Sequence, residues 1–352
     1  MADTLGHETL SQRLAQIPEY LDQTLGLELP SLEPLAASRG VVATGMGSSE
    51  AAARYLVRLL NLWTPVRAEF LPLNQFYSMP AQRRDARHLV VFTQGLAPNA
   101  QIALAQRRQF SGLTLVTSST EQGQSQAGKG DRAELLQTLA KQGATIVRHP
   151  LENEFEILPR VIGPVCAMAT ALIIAANIGN KKLPKPEILT AIQADFRAQQ
   201  SIHTLADELL AGVDFYFANP TQLYAQNLSA KVLETIFRPA PRVRDLFDYS
   251  HGPFQAEIVT PAHRWLFTSA EAAEQALVND TSDLFNRINT AHVITSPLPE
   301  PFAIFYYESV LNQIVAEAAR RSGANLIDWP GKGLDGEGYA LNQPFTLKDA
   351  TE

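Results

Sequence analysis

The chain has 352 residues, 45% of them apolar, with 29 basic against 36 acidic side chains and a net charge of −7. That length and composition predict a globular protein of two domains and exclude a disordered chain. The acidic balance excludes a duplex nucleic-acid binder, which needs clustered basic residues; the pairs Arg83–Arg84, Arg107–Arg108 and Lys181–Lys182 are scattered and are expected to be solvated at helix ends or in loops.

The first residues, up to about Leu25, predict an amphipathic helix with Leu10, Leu14, Ile17 and Leu21 on one side. They lack the basic-then-apolar pattern of a secretion signal, so a cytoplasmic protein is expected. Pro30 and Pro34 then break the pattern. "GVVATG" reads as a strand and "SEAAARYLVRLLNLW" as the helix after it. "VRAEFLPL" and "HLVVFTQG" read as strands, "NAQIALAQRRQF" as a helix, and "LTLVTSS" and "ATIVRH" as strands. "VIGPVCAMATALIIAANIG" follows. Gly163, Pro164, Thr170 and Asn177 interrupt a run barely long enough to span a bilayer, so a buried helix is expected, with Cys166 as a structural thiol. One cysteine excludes an intrachain disulfide and a cysteine-rich metal site.

After "NKKLPKPE" a helix is expected from about Pro186 to Leu210. A second, similar series follows: strand "GVDFYFANP", helix "TQLYAQNLSAKVLETIF", strands "RVRDLFDYS", "HRWLFTS" and "AHVITSP", helix "FYYESVLNQIVAEAARRSG", and the Gly-rich loop "DWPGKGLDGEGY". Apolar strands alternating with helices predict parallel sheets covered on both faces. The expected organisation is α/β. An N-terminal helix and linker occupy 1–34 and a first domain 35–185. A linking helix covers 186–204, and a second domain with the C-terminal loop covers 205–352. The order of elements suggests a diverged duplication.

The turn Gly45-Met46-Gly47 invites a dinucleotide fingerprint, with Glu69 as a ribose-binding acid. Glu50 stands where that fingerprint needs a small residue, which leaves a nicotinamide-dependent oxidoreductase as a remote alternative. No G-K-[ST] follows, so the turn is not a P-loop. Ser48 and Ser49 at the helix start suit an anion, since free N–H groups and the helix dipole favour negative charge there. Either serine could instead be an N-cap. Thr93, Gln94, Ser118, Ser119 and Thr120 follow two further strands. In a parallel sheet these ends lie above one crevice. Lys231 and Glu234 share a helix face and form either a surface salt bridge or a base kept ionised by its neighbour. His251 titrates near neutrality and suits acid–base work, or simply sits in a turn.

Taken in order, "TGMGSSEAAARYLVRLL", "LVTSS", "YAQNLSAKVLETIF…FDYSHGPF" and "GANLIDWPGKGL" resemble the tandem SIS (sugar isomerase) domain family, as in the isomerase half of glucosamine-6-phosphate synthase and related phosphosugar isomerases. The resemblance covers roughly residues 35 to 340. It implies two tandem domains of flavodoxin-like, three-layer form and a sugar-phosphate ligand. It also implies proton transfer between C1 and C2. Gly45, Gly47, Ser48, Ser49, Thr93, Gln94 and Ser118 fall on its ligand-binding turns. Glu234 falls on the base, Lys231 on the lysine beside it, and His251 on a ring-opening histidine supplied by the neighbouring subunit of a homodimer. Gly95 and Pro98 stand where hydroxyls are expected in the phosphate loop, so the anion is bound less tightly or held differently. Asn219 and Thr221 replace a glycine-rich turn and are expected to read the sugar; Lys332 lies ahead of the family's C-terminal lysine position, near Gly336. No His/Asp/Glu cluster has metal-ligand spacing, so no metal or cofactor is expected. The resulting expectation is an aldose–ketose isomerase or aminosugar isomerase/deaminase acting on a hexose phosphate. A non-catalytic sugar-phosphate sensor is the alternative; no helix-turn-helix region accompanies it.

Overall fold

The computed structural model describes residues 3–79, 85–151, 154–195, 202–287, 291–334 and 336. Arg83 and Arg84 lie outside them. Nine strands form two wholly parallel sheets among the described residues, flanked by helices. The fold is therefore mixed α/β, as the alternation of apolar runs predicts.

The first sheet contains β1 (Val41–Thr44), β2 (Ala68–Phe70), β3 (His88–Phe92), β4 (Gly112–Thr117) and β5 (Thr145–Arg148), in the order β2-β1-β3-β4-β5. Every residue of β1 and β3 is buried, which is why these strands read as unbroken apolar runs. The helices before, between and after them are α1 (His7–Leu25), α2 (Glu33–Ala36), α3 (Ser48–Trp63), α4 (Leu73–Tyr77), α5 (Pro98–Ala105), α6 (Glu121–Gln126), α7 (Gly130–Lys141) and α8 (Ile162–Ile178). Ile162 to Ala176 are buried without interruption. Burial pushes the Cys166 thiol up to about 12, so it stays protonated. No helix of the described residues is long and apolar enough to cross a membrane.

The second sheet contains β6 (Val213–Phe217), β7 (Val243–Asp245), β8 (His263–Ser269) and β9 (Ala291–Ser296), in the order β7-β6-β8-β9. It repeats the first four places of the first sheet. Its helices are α9 (Lys185–Ile192), α10 (Ile202–Ala211), α11 (Gln226–Ile236), α12 (Pro253–Val259), α13 (Ala272–Asn286) and α14 (Ala303–Ser322). Aromatic stacking fills one face: Phe217 lies on Phe267 at 4.7 Å and Phe215 on Trp265 at 5.4 Å between ring centroids.

The chain divides into two compact units. One is built mainly of Glu19–Glu154 and Ile162–Leu183 and carries the first sheet. The other is built mainly of Phe155–Val161 and Pro184–Pro330, with the start of the chain up to Pro18, and carries the second.

Several elements depart from the sequence reading for local reasons. "VRAEFLPL" is a strand only at Ala68–Phe70, because Pro72 lacks an N–H and opens α4 instead. "RVRDLFDYS" is a strand only at Val243–Asp245. The Asp245 carboxylate then accepts from the Phe247 N–H at 2.8 Å and turns the chain into a 3-10 turn, Leu246–His251. The helix expected from Pro186 to Leu210 is α9 and α10, with 196–201 outside the described residues. Arg107, expected in solvent, is only 7% exposed.

Candidate functional site

In the first sheet the strand order reverses between β1 and β3, and ligands of open parallel sheets bind at the carboxyl ends on either side of such a reversal. Gly45 ends β1. A Cβ there would lie 2.4 Å from the Ser49 carbonyl oxygen, so only glycine lets α3 begin this close to the strand. Gly47 follows with φ +61 and ψ −130, a glycine conformation, and it takes the N-cap place of α3 without offering a side chain. Neither Ser48 nor Ser49 is the cap, which corrects that reading. Both are half-buried, and their hydroxyls have no hydrogen-bond partner among the described residues. The Ser49 N–H turns back to the Met46 carbonyl at 3.2 Å. The N–H groups of Gly47 and Ser48 have no partner among the described residues. The sixteen-residue α3 thus presents an uncapped, positive end.

Thr93 follows β3. It is 6% exposed, and its hydroxyl likewise has no partner among the described residues. The next carbonyl, that of Gln94, accepts from the hydroxyls of Thr117, Ser118 and Ser119, each at 3.0 Å. The protons of Ser118 and Ser119 are therefore spent on holding the β3 turn against β4. Thr120 caps α6, accepting from the Gly123 N–H at 3.0 Å. The Gln94 amide packs on Gly163, where a Cβ would meet it at 2.6 Å, and lies 3.5 Å from Glu154. Glu154 is fully buried and accepts from the N–H groups of Ile162 at 2.8 Å and Gly163 at 3.0 Å. The N-terminus of α8 is thereby neutralised by the chain's own carboxylate.

Leu96, next in the turn, has φ +52 and is fully buried. This backbone is costly for a leucine and is held by apolar packing around it. The turn that lacks hydroxyls at Gly95 and Pro98 carries a cation instead. Arg132 on α7 donates through Nη1 to the Gly95 carbonyl at 2.7 Å and has no carboxylate partner among the described residues. Sequence reasoning missed Arg132, which lies 37 residues from Gly95. Its one signal is position: a basic residue in the first turn of a helix that starts near the carboxyl end of β4. Glu69, the acid of the dinucleotide reading, and Glu50, which stands against that reading, are both engaged. Glu50 pairs with Arg54 at 2.7 Å, and Glu69 pairs with Arg87.

In the second sheet's unit, Lys231 on α11 is 1% exposed and pairs with Glu308 of α14 at 2.9 Å. Asn227 donates to the other oxygen of Glu308 at 2.8 Å. This corrects the reading of Lys231 and Glu234 as a pair: the lysine is sealed between two helices. Glu234, one turn on, is half-buried, and its carboxylate lies 3.5 Å from the Arg160 N–H. His251 is exposed at the end of its 3-10 turn, ahead of Gly252 with φ +146. The residues around it are pinned. Tyr249 donates to Glu257 at 3.0 Å, and Arg264 of β8 reaches Glu257 at 2.9 Å and also bonds the Tyr249 hydroxyl. Burial pushes the Glu257 carboxyl up, and the Arg264 charge opposes that. Asn219 caps its own turn through the Thr221 N–H at 3.1 Å and donates to Glu274 at 2.8 Å. Thr221 is buried against the Tyr224 hydroxyl at 3.3 Å. Lys332 is exposed between Gly331 and Gly333, whose φ angles are +80 and +79.

Compared by sequence, the chain matches no family model and no curated protein. Its fold is found in solved structures. The tagatose-6-phosphate ketose/aldose isomerase of Escherichia coli superposes with a TM-score of 0.70 at 14% identity, over 90% of this chain and 94% of that one. The C-terminal domain of glucosamine-fructose-6-phosphate aminotransferase from Francisella tularensis gives 0.68 at 12% identity, over 91% and 98%. Glucosamine-6-phosphate deaminase from Thermotoga maritima gives 0.67 at 14% identity, over 91% and 97%.

Proposed function

We propose that the chain is a phosphosugar isomerase of the aldose–ketose type, acting on a hexose or aminosugar 6-phosphate, with deamination as a variant of the same chemistry. The observation that carries this reading is the first sheet's crevice. An uncapped helix end, three hydroxyls without a partner among the described residues (Ser48, Ser49, Thr93) and an Arg132 guanidinium without a carboxylate among them gather at the strand ends that β1, β3 and β4 bring together. Such a set suits a phosphate and offers little to a neutral base or ring. The names of the three structures above support the same class.

In this reading Glu234 removes the proton from C2 of the open-chain aldose; the C–H electrons form the C1–C2 double bond, and the C1 carbonyl electrons move to O1, which takes up a proton from solvent to give an enediol. The same carboxyl then returns its proton to C1 with the C1–C2 electrons, while the O2–H electrons form the C2 carbonyl and the O2 proton leaves to solvent. His251, supplied by the partner copy of a homodimer, assists ring opening. Lys231 acts indirectly, by fixing α11 through Glu308. General acid–base catalysis contributes about 10²–10⁴-fold, so Glu234→Gln should lower turnover by that factor with little change in KM. Unchanged turnover would remove Glu234 from the mechanism.

One observation favours the non-catalytic reading, a sugar-phosphate sensor: Lys231 is buried against Glu308 and does not pair with Glu234. Tight binding of hexose phosphates with no turnover of any of them would select it.

A further inference from the structure

The chain has three buried arginines among the described residues: Arg13, Arg107 and Arg264. Arg13 meets Glu156 at 3.4 Å and Arg264 meets Glu257 at 2.9 Å. Arg107 has no such counter-charge among the described residues. Its Nε donates to the Gln142 side-chain oxygen at 3.0 Å, Nη2 donates to the same oxygen, and Nη1 donates to the Leu104 carbonyl at 3.2 Å. All these acceptors are neutral. A guanidinium has five N–H donors and cannot shed its proton in a protein. Two donors of Arg107 are left over, and a buried cation without an anion is costly.

The neighbouring residue adds charge of the same sign. Arg108 is exposed and has no partner among the described residues. Burial, and then the nearness of Arg108, lower the pKa of Arg107, as expected where no carboxylate offsets either effect. Both arginines line a cleft of about 440 Å³, with Phe110 and Leu139 as apolar walls and Ser111 and Gln142 as further polar groups. That volume suits a small molecule.

We propose that this cleft is a second anion site, which takes the phosphate or carboxylate group of a small ligand on Arg107 and Arg108. The cleft is distinct from the crevice described above. Gly112 and Ala144, which also line it, stand at the amino ends of β4 and β5, whereas the crevice lies at the carboxyl ends. The five residue steps of β4 alone separate the two by about 17 Å at the usual strand rise. The ligand supplies the missing counter-charge, its oxygens accept the spare Arg107 donors, and its body covers Phe110 and Leu139. This inference stands whether or not the proposed activity does.

Phenylglyoxal labelling of arginine, localised by peptide mass spectrometry on the full chain, tests it. Arg108 is the reporter, and inorganic phosphate and acetate are the probes, each compared with chloride at equal ionic strength. Only the unoccupied fraction reacts, so phosphate at about ten times its dissociation constant should slow Arg108 labelling about tenfold. Arg107→Met should abolish that protection, and Arg107→Lys, which keeps the charge without the fork, should retain part of it. Stronger protection by acetate than by phosphate assigns the site to carboxylates; stronger protection by phosphate assigns it to phosphates. Equal labelling in phosphate, acetate and chloride overturns the proposal. So does protection that survives in a folded Arg107→Met chain.

Discussion

The Lys231 ammonium and the Glu308 carboxylate are each 1% exposed and 2.9 Å apart. Two charges withdrawn from water stabilise little as a pair, but stranding one of them is expensive. Lys231→Met should therefore cost about 3–5 kcal/mol. The double variant Lys231→Met/Glu308→Leu should recover most of that loss. Urea unfolding of the two variants measures both; a single variant as stable as wild type would show that Glu308 finds another partner. Two histidines make the complementary case. Burial holds His88 and His149 down at about 4, against an ordinary 6.5. The unfolded chain then takes up protons below pH 6.5 that the native chain refuses until about pH 4. Stability should fall with pH across that window, by about 1.4 kcal/mol per pH unit for each histidine. His149→Gln should flatten the slope by about half in unfolding curves recorded from pH 7 to pH 4. An unchanged slope would place the titration elsewhere.

At the scale of elements, the β3 turn is held from several directions. Hydroxyls from the end of β4 grip the Gln94 carbonyl, Glu154 at the head of α8 meets its amide, and Arg132 of α7 grips the Gly95 carbonyl. A turn fixed in this way needs few hydroxyls of its own to present a charged guanidinium. Charge-assisted hydrogen bonds contribute about 1.5–3 kcal/mol each, and about 1.4 kcal/mol is tenfold in affinity. Arg132→Met should weaken binding of a hexose 6-phosphate about ten- to a hundredfold while leaving the unphosphorylated hexose nearly unaffected. Calorimetric titration of both ligands separates the effects. An equal loss for the two would mean that Arg132 only braces the turn.

For the molecule as a whole, the position of His251 carries a consequence for assembly. Tyr249 and Glu257 on either side of it in sequence are anchored to Arg264, while His251 itself is exposed. If a partner copy uses that ring, inactive Glu234→Gln and His251→Ala chains should complement each other. A mixed dimer would then hold one site with both residues intact. Mixed and refolded preparations should regain up to half of the wild-type activity per mixed dimer. No recovery, with mixed dimers demonstrated by mass spectrometry, would mean that each copy uses its own histidine.

The sequence by itself determined the α/β class and most strand positions. Buried parallel strands such as "VVAT" and "HLVVF" must be apolar along nearly their whole length, and that is a local property. The glycines at 45 and 47 were legible for the same reason, since backbone geometry at a strand–helix turn selects them. Helix α13 was not read from the sequence, because its apolar stripe is short: Leu277 and Val278, then Leu284 and Phe285 two turns on, set among polar residues. Tertiary structure alone decided the partners of the polar groups. Lys231 turned to Glu308 across 77 residues rather than to Glu234 one turn away, because α14 offered a dry carboxylate. Ser118 and Ser119 turned to the Gln94 carbonyl, and Arg107 was drawn out of solvent by the packing beneath it. A side chain's type states which bonds it can make. Which bond it does make depends on what the fold places within about 3 Å of it, and that distance is set by residues far away in the chain.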